Sequence, residues 1–377
     1  MDSIEKIIAA YDRQGIHRTG TEVDRASADG LAGEIAERGL EPALVPFPLD
    51  RVDVISAHAA IDGKTYEGLP RFDGGVTGAD GIAGRLGPLG SDAEIGLVAT
   101  GARSQPFVEE AREAGHHKAI LQITATERVG LTPINADRFT APFGPPVLQL
   151  SNADQTALEE DATAGEEATV VVDIGRSPCE AVNVETRLSG CDPSLAPLVI
   201  MTPRSGWWSC ASERGGGLVL FLEMMRALKD AGPARDVIFT ANSGHELGHL
   251  GLDHFLEENA ALVTEAHCWI HLGANFAAAI SPRVRLQASD DALFDQARGV
   301  LRAVGLAPDW ETPVGERPGG EARNIYDGGG RYISLLGGNG LFHHPDDRWP
   351  DAIDAEKTAR LAEAFSALAV SLANETG

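Results

Sequence analysis

From residue 183 onward, short apolar runs alternate with stretches whose apolar residues recur at helical spacing. NVETRLSG (183–190), LAPLVIMTP (195–203), RDVIFTAN (235–242) and HCWIHLGAN (267–275) read as strands. GGGLVLFLEMMRALKDAG (215–232) reads as a helix that buries Leu218, Leu220, Phe221, Met224, Met225 and Leu228. HELGHLGLDHFLEENAAL (245–262), DDALFDQARGVLRAVG (290–305) and the segment from Ile353 to Asn374 continue the alternation. Strands alternating with helices of this length predict an α/β fold: a largely parallel sheet flanked by helices.

The start of the chain has another texture. Residues 22–39 place Ala26, Leu31, Ile35 and Ala36 at helical spacing and close on Gly39. EPALVPFPLD (41–50) reads as a short or edge strand, because proline cannot donate to a ladder. Between about 50 and 180, glycine-rich turns separate the β-like runs AEIGLVAT, KAILQIT, PPVLQLS and ATVVVDI, with one helix at PFVEEAREAGH. This segment, 50–180, predicts a smaller β-rich domain inserted into a catalytic domain made of 1–49 and 181–377. A chain of 377 residues suits two domains.

Composition narrows the function. Acidic residues outnumber basic ones 56 to 31, for a formal charge of -25, so nucleic acid and anionic membranes are disfavoured as partners. An acidic surface that keeps a soluble protein dispersed accounts for this charge, and salt adaptation is an alternative. The charged, amphipathic N-terminus shows no signal-peptide core, and no run reaches the roughly 18 apolar residues of a membrane span. A cytoplasmic protein is expected, with Cys179, Cys191, Cys210 and Cys268 as reduced thiols. A homo-oligomer is compatible with the sequence, which does not specify one.

Candidate chemistry sits in the turns that follow the strands, where open α/β sheets form their sites. These turns are TPRSGWWSCASERGGG, SGHELGH, HLGAN and LFHHPDDRWPD. His245-Glu246-Leu247-Gly248-His249 matches the zinc motif H-E-x-x-H, but only Ser243-Gly244 separates it from a strand, and Glu265 is a weak third ligand. In the plainer reading His249 faces the core and is hydrogen-bonded there.

HRTGTEVDRASADGLAGEIAERGLE, AEIGLVATGARSQPFVEEAREAGHHKAILQ and NVETRLSGCDPSLAPLVIM together resemble the family of two-zinc exopeptidases, which includes bacterial aminopeptidases, glutamate carboxypeptidase and the metal-free transferrin receptor. The inserted segment resembles that family's protease-associated domain. The resemblance implies metal ligands at Glu213, Glu246, His271 and His343, with His245 where the family has its general base. Thr202 and Arg204 stand where a His-x-Asp ligand motif is expected, so the second metal position is lost. What is left suits one divalent metal, zinc first, with iron or manganese as alternatives. Arg204 and Tyr332 are further catalytic candidates, and Arg204, Trp208, Arg323 and Tyr326 are candidates for substrate binding, with Trp207 beside them. The expected activity is metal-dependent hydrolysis of an amide or related C–N bond in a small carboxylate-bearing substrate. Two alternatives stay open: a non-catalytic binding protein on the same fold, and a lyase, deaminase or ring-opening enzyme at the same site.

Overall fold

The computed structural model describes residues 2–126 and 128–375. Helices α1 (Asp2–Gln14) and α2 (Glu22–Glu37) precede strand β1 (Ala43–Ile61). The β-rich segment holds β2 (Lys64–Pro70), β3 (Ile82–Pro88), β4 (Ile95–Gly101), α3 (Pro106–Ala114), β5 (Ala119–Ala125), β6 (Val147–Ser151) and α4 (Gln155–Ala164). Strand β7 (Glu167–Leu188) returns, and β8 (Leu198–Pro203), α5 (Ala211–Ala231), β9 (Val237–Asn242), α6 (Leu250–Glu258), α7 (Leu262–Glu265) and β10 (Cys268–Leu272) follow. The chain closes with β11 (Arg283–Ala288), α8 (Asp291–Ala303), β12 (Trp310–Thr312), α9 (Ala322–Asp327), β13 (Tyr332–Gly338) and α10 (Ala355–Ala373).

The strands join in one mixed sheet of 13, in the order β1-β2-β6-β5-β4-β3-β7-β9-β8-β10-β13-β11-β12, and β1 also pairs β7. Its centre, β9-β8-β10-β13, is parallel. Alternate residues of these strands go to opposite faces. Leu198, Ile200, Ile270 and Leu335 pack under α1, α5, α8 and α10. Val199, Met201, Trp269 and Tyr332 pack against α6 and α9. Burial on both faces is why these strands read as continuous apolar runs. A second cluster, with Ile95, Leu121, Ile123, Leu148 and Val170, lies within residues 57–172.

Three elements differ from the sequence expectation. First, ATVVVDI and NVETRLSG are parts of one strand of 22 residues, β7, which pairs antiparallel with the 19-residue β1 along nearly its whole length. Residues 50 and 180 therefore fall inside continuous strands. Pro46 and Pro48 share one parity in β1, so their missing donors face the side without a partner. Second, EARNIYDGGGRYISLLGG (321–338), which its glycines make read as a turn-rich segment, holds regular structure. It supplies α9 and the interior strand β13, between β10 and β11.

Third, residues 245–262 are not one helix. Gly244, Gly248 and His249 adopt positive φ, so a single 3-10 turn at His245–Leu247 precedes α6. The amides of Leu247, His249 and Leu250 all converge on the Gly244 carbonyl. A Cβ at Gly248 would stand 2.8 Å from the Asp137 carbonyl oxygen, so glycine is required there both for φ and for space. Gly248→Ala is expected to cost about 2 kcal/mol in a denaturant titration, from the strained φ and the clash together.

Candidate functional site

The carboxyl ends of β8, β9, β10 and β13 open towards one place, and the turns after them carry the candidate residues. Ser205 follows β8, and His245 and Glu246 follow β9. Asn275 follows β10, and His343 follows β13. Helix α5 points its first turn at the same place. Cys210 precedes it in left-handed conformation and gives no cap, so the Asp347 carboxylate caps it instead, accepting from the Ser212 and Glu213 amides at 2.8 and 3.0 Å. Burial pushes the Asp347 carboxyl up to about 7.

At the centre lies a guanidinium. Nη2 of Arg214 is 2.6 Å from Oε1 of Glu246 and 2.9 Å from Oε1 of Glu213, and its Nε donates to the Ser205 carbonyl at 2.6 Å. The Ser205 hydroxyl donates to the other Glu246 oxygen at 2.7 Å. All four residues are buried. Burial works against charge here, but the Glu213 and Glu246 carboxylates still raise the Arg214 pKa, and Arg214 with His343 lowers that of Glu213.

The expected ligand set is therefore not assembled. Glu246 spends both oxygens on Arg214 and Ser205. His271 is wholly buried, with Nδ1 on the Ser334 hydroxyl at 2.8 Å, and burial lowers its pKa to about 4. Only Glu213 and His343 approach, with Nε2 of His343 3.4 Å from Oε1 of Glu213. No group of three or more His, Cys, Asp or Glu among the described residues is gathered as a metal ion requires. Glu265 is exposed on α7. A divalent ion does not fit these side chains while a guanidinium holds the space between the two carboxylates.

Beside this centre is a cavity of about 570 Å³, lined by His245, His249, His343, Asn135 and Asn275 and by Arg103, Arg283, Arg285 and Arg323. Nδ1 of His245 faces Oε1 of Glu321 at 3.2 Å, and Glu321 is fully buried. Burial first, and then Arg214, lowers the His245 pKa well below its ordinary value. His249 stacks on His245 at 4.8 Å between centroids and bonds Asn324 at 2.8 Å, so it lines the cavity rather than facing the core. Arg323 pairs with Asp137 at 3.0 Å. The other three arginines have no ion-pair partner among the described residues. Arg103 lies over Phe342 and Arg285 over Trp310, at 4.7 and 3.9 Å. Burial lowers the pKa of both, and Arg103 lowers that of Arg285 further.

Several expected site residues lie elsewhere. Arg204 is fully buried and donates to the Asp24 carboxylate at 2.8 Å, to the Asp24 carbonyl at 2.7 Å and to the Val182 carbonyl, so it faces α2 rather than the cavity. Thr202 bonds the Leu272 carbonyl. Tyr332 packs in the core with Phe255 and Trp269, where burial pushes its hydroxyl up to about 12. Trp208 donates to the His343 carbonyl and lines a separate hollow with Trp207, Arg18 and Arg51. Tyr326 bonds the Gly315 carbonyl at 2.7 Å. The sequence reading missed Arg214, Glu321, Arg103, Arg283 and Arg285. Arg214 directly follows Glu213, and Arg283 and Arg285 alternate along one strand, which were the available signals.

Neither a protein-family model nor a curated protein matches the sequence. Solved structures do match its shape. The zinc aminopeptidase BSAP from Bacillus subtilis superposes with a TM-score of 0.81 at 16% identity, over 99% of this chain and 95% of that one. A peptidase M28 precursor from Shewanella amazonensis gives 0.78 at 15%, over 100% and 94%. A glutaminyl cyclase from Tannerella forsythia gives 0.53 at 10%, over 100% and 98%. At these identities the shared property is the fold: this chain has the α/β architecture of the zinc aminopeptidases.

Arg204→Met removes the cation from Asp24, whose buried carboxylate then keeps only neutral donors, the Ser243 hydroxyl and the Gly20 amide. A loss of about 3–5 kcal/mol of stability is expected, measured by denaturant unfolding.

Proposed function

We propose that the protein is a hydrolase that cleaves an amide or related C–N bond in a small, carboxylate-bearing molecule. The observation that carries this reading is the His245–Glu321 pair at 3.2 Å, opening on a cavity lined by Arg103, Arg283, Arg285 and Arg323. In a chain of net charge -25, so many cations around one hollow favour an anionic ligand. Arginine forks match carboxylates, and would hold the substrate while its scissile bond lies near His245.

The chemistry follows from the hydrogen bonds. If Nδ1–H of His245 donates to Glu321, the lone pair of Nε2 is left to take a proton from water. Asn135 and Asn275 accept through Oδ1 from Trp207 and Asn339, so each keeps its amide N–H donors for the oxygen of a reacting carbonyl. The zinc of the similar aminopeptidases is not used in this scheme. The segment that resembles a protease-associated domain contributes Arg103, Asn135 and Asp137 to the cavity, and so would take part in substrate selection. The non-catalytic alternative draws support from one fact: Arg214 already neutralises the carboxylates that would hold a metal.

A panel of N-acyl amino acids and amino-acid amides, incubated in ¹⁸O-labelled water with chelator present, tests the proposal. The expected outcome is label in the product carboxylate, with kcat/KM lowered about 10²–10⁴-fold by His245→Ala. Ligand binding without turnover, unchanged by His245→Ala, would instead establish the binding protein. The pH profile is a further test. Since the His245 pKa is lowered, the imidazole stays neutral as pH falls through its ordinary value. The acid limb of kcat/KM should therefore lie clearly below pH 6.5.

A further inference from the structure

Glu213 and Glu246 are two buried carboxylates that reach the same nitrogen. Without a positive charge between them they would repel strongly in a medium of low dielectric. The sequence supplies the charge from within. Arg214 follows Glu213 in the first turn of α5, and its side chain is wholly buried between the β8 and β9 turns. A guanidinium carries its charge at any working pH and is covalently tethered, so it cannot be chelated or exchanged. It donates hydrogen bonds but accepts no lone pairs, so it cannot act as a Lewis acid.

The surrounding atoms show what it replaces. Neither oxygen of Glu213 accepts a well-formed hydrogen bond, and Nε2 of His343 has no hydrogen-bond partner. Nδ1 of His343 is already engaged by the Pro133 carbonyl at 2.6 Å. That contact makes Nδ1 a donor and leaves Nε2 facing Oε1 of Glu213, 3.4 Å away. Buried polar atoms of Glu213 and His343 thus lack good partners around a guanidinium that lies between the two carboxylates and leaves its own Nη1 without one. This is the chemistry of a metal-ligand set without its metal.

We propose that Arg214 is a built-in replacement for a metal ion, and that removing it uncovers a latent divalent-cation site formed by Glu213, Glu246 and His343. The proposal does not depend on the hydrolase reading, because its test reads metal and not turnover. In the native chain the residues hold a site of fixed charge that no chelator can empty. In a variant without the guanidinium, two carboxylates and an imidazole regain the freedom to bind zinc.

The experiment compares the full-length protein with Arg214→Ala and Arg214→Gln. Each is equilibrated with zinc, freed of excess by gel filtration, and assayed for bound metal and for its zinc-dependent melting temperature. The native protein is expected to retain no zinc at this site. The variants should retain about one equivalent, with affinity raised at least about 100-fold, and melt higher as zinc is added. Adding His343→Ala to Arg214→Ala should abolish that gain. A native protein that holds one equivalent of zinc, lost on Glu246→Ala, would overturn the proposal. So would folded Arg214 variants that bind none. Should both variants be unfolded without zinc, folding on its addition supports the proposal, and failure to fold with zinc refutes it.

Discussion

The guanidinium of Arg214 is the interaction on which the rest of the site depends. It joins the turn after β8, through the Ser205 carbonyl, to the turn after β9, through Glu246, and both to the first turn of α5. Glu213 then meets His343 from the segment after β13. Carboxylates this deeply buried are tolerable only with a cation among them, so charge neutralisation and the convergence of these turns are one requirement. The fold brings the strand ends together, and Arg214 makes their polar contents compatible.

Much of the fold was legible because burial on both faces leaves a plain mark. β8, β9 and β10 are nearly unbroken apolar runs, and α5 shows its buried side through Leu218, Phe221 and Met225. The continuity of β1 and β7 was not legible. Their middles, around Arg51 and Ser177, are polar and half-exposed, and each strand is specified by pairing with a partner far along the chain. β13 was hidden by the glycines before and after it. Within the site, the family resemblance singled out Glu213, Glu246 and His343, but it does not give the direction in which neighbours point. The resemblance implies Arg204 in the pocket, at the family's ligand-motif position after β8, whereas the backbone turns its side chain towards Asp24. The roles of Arg214 and Glu321 follow from contacts across 32 and 76 residues, which no local pattern records.

The cavity inverts the charge of the molecule around it. A strongly acidic surface repels the same small anions that Arg103, Arg283 and Arg285 would attract at short range. With a screening length of about 8 Å at physiological salt, the surface contributes little once a ligand reaches the hollow. Local arginines, rather than overall charge, would decide what such a cavity holds.

The long β1–β7 ribbon bears on how that cavity can respond to a ligand. Its walls come partly from residues 102–137 and partly from residues beyond 244. Two continuous strands run between these regions, and the cross-links Ala136 N–Glu246 O, Asn135–Trp207 and Asp137–Arg323 close the seam. A hinge needs a few residues free to change their φ and ψ, and hydrogen-bonded strands deny that freedom. An aperture framed in this way would gauge the proposed ligand with little backbone movement: adaptation would be left to side chains such as Arg103 and Phe342, and molecules too large for the opening would be turned away rather than enclosed.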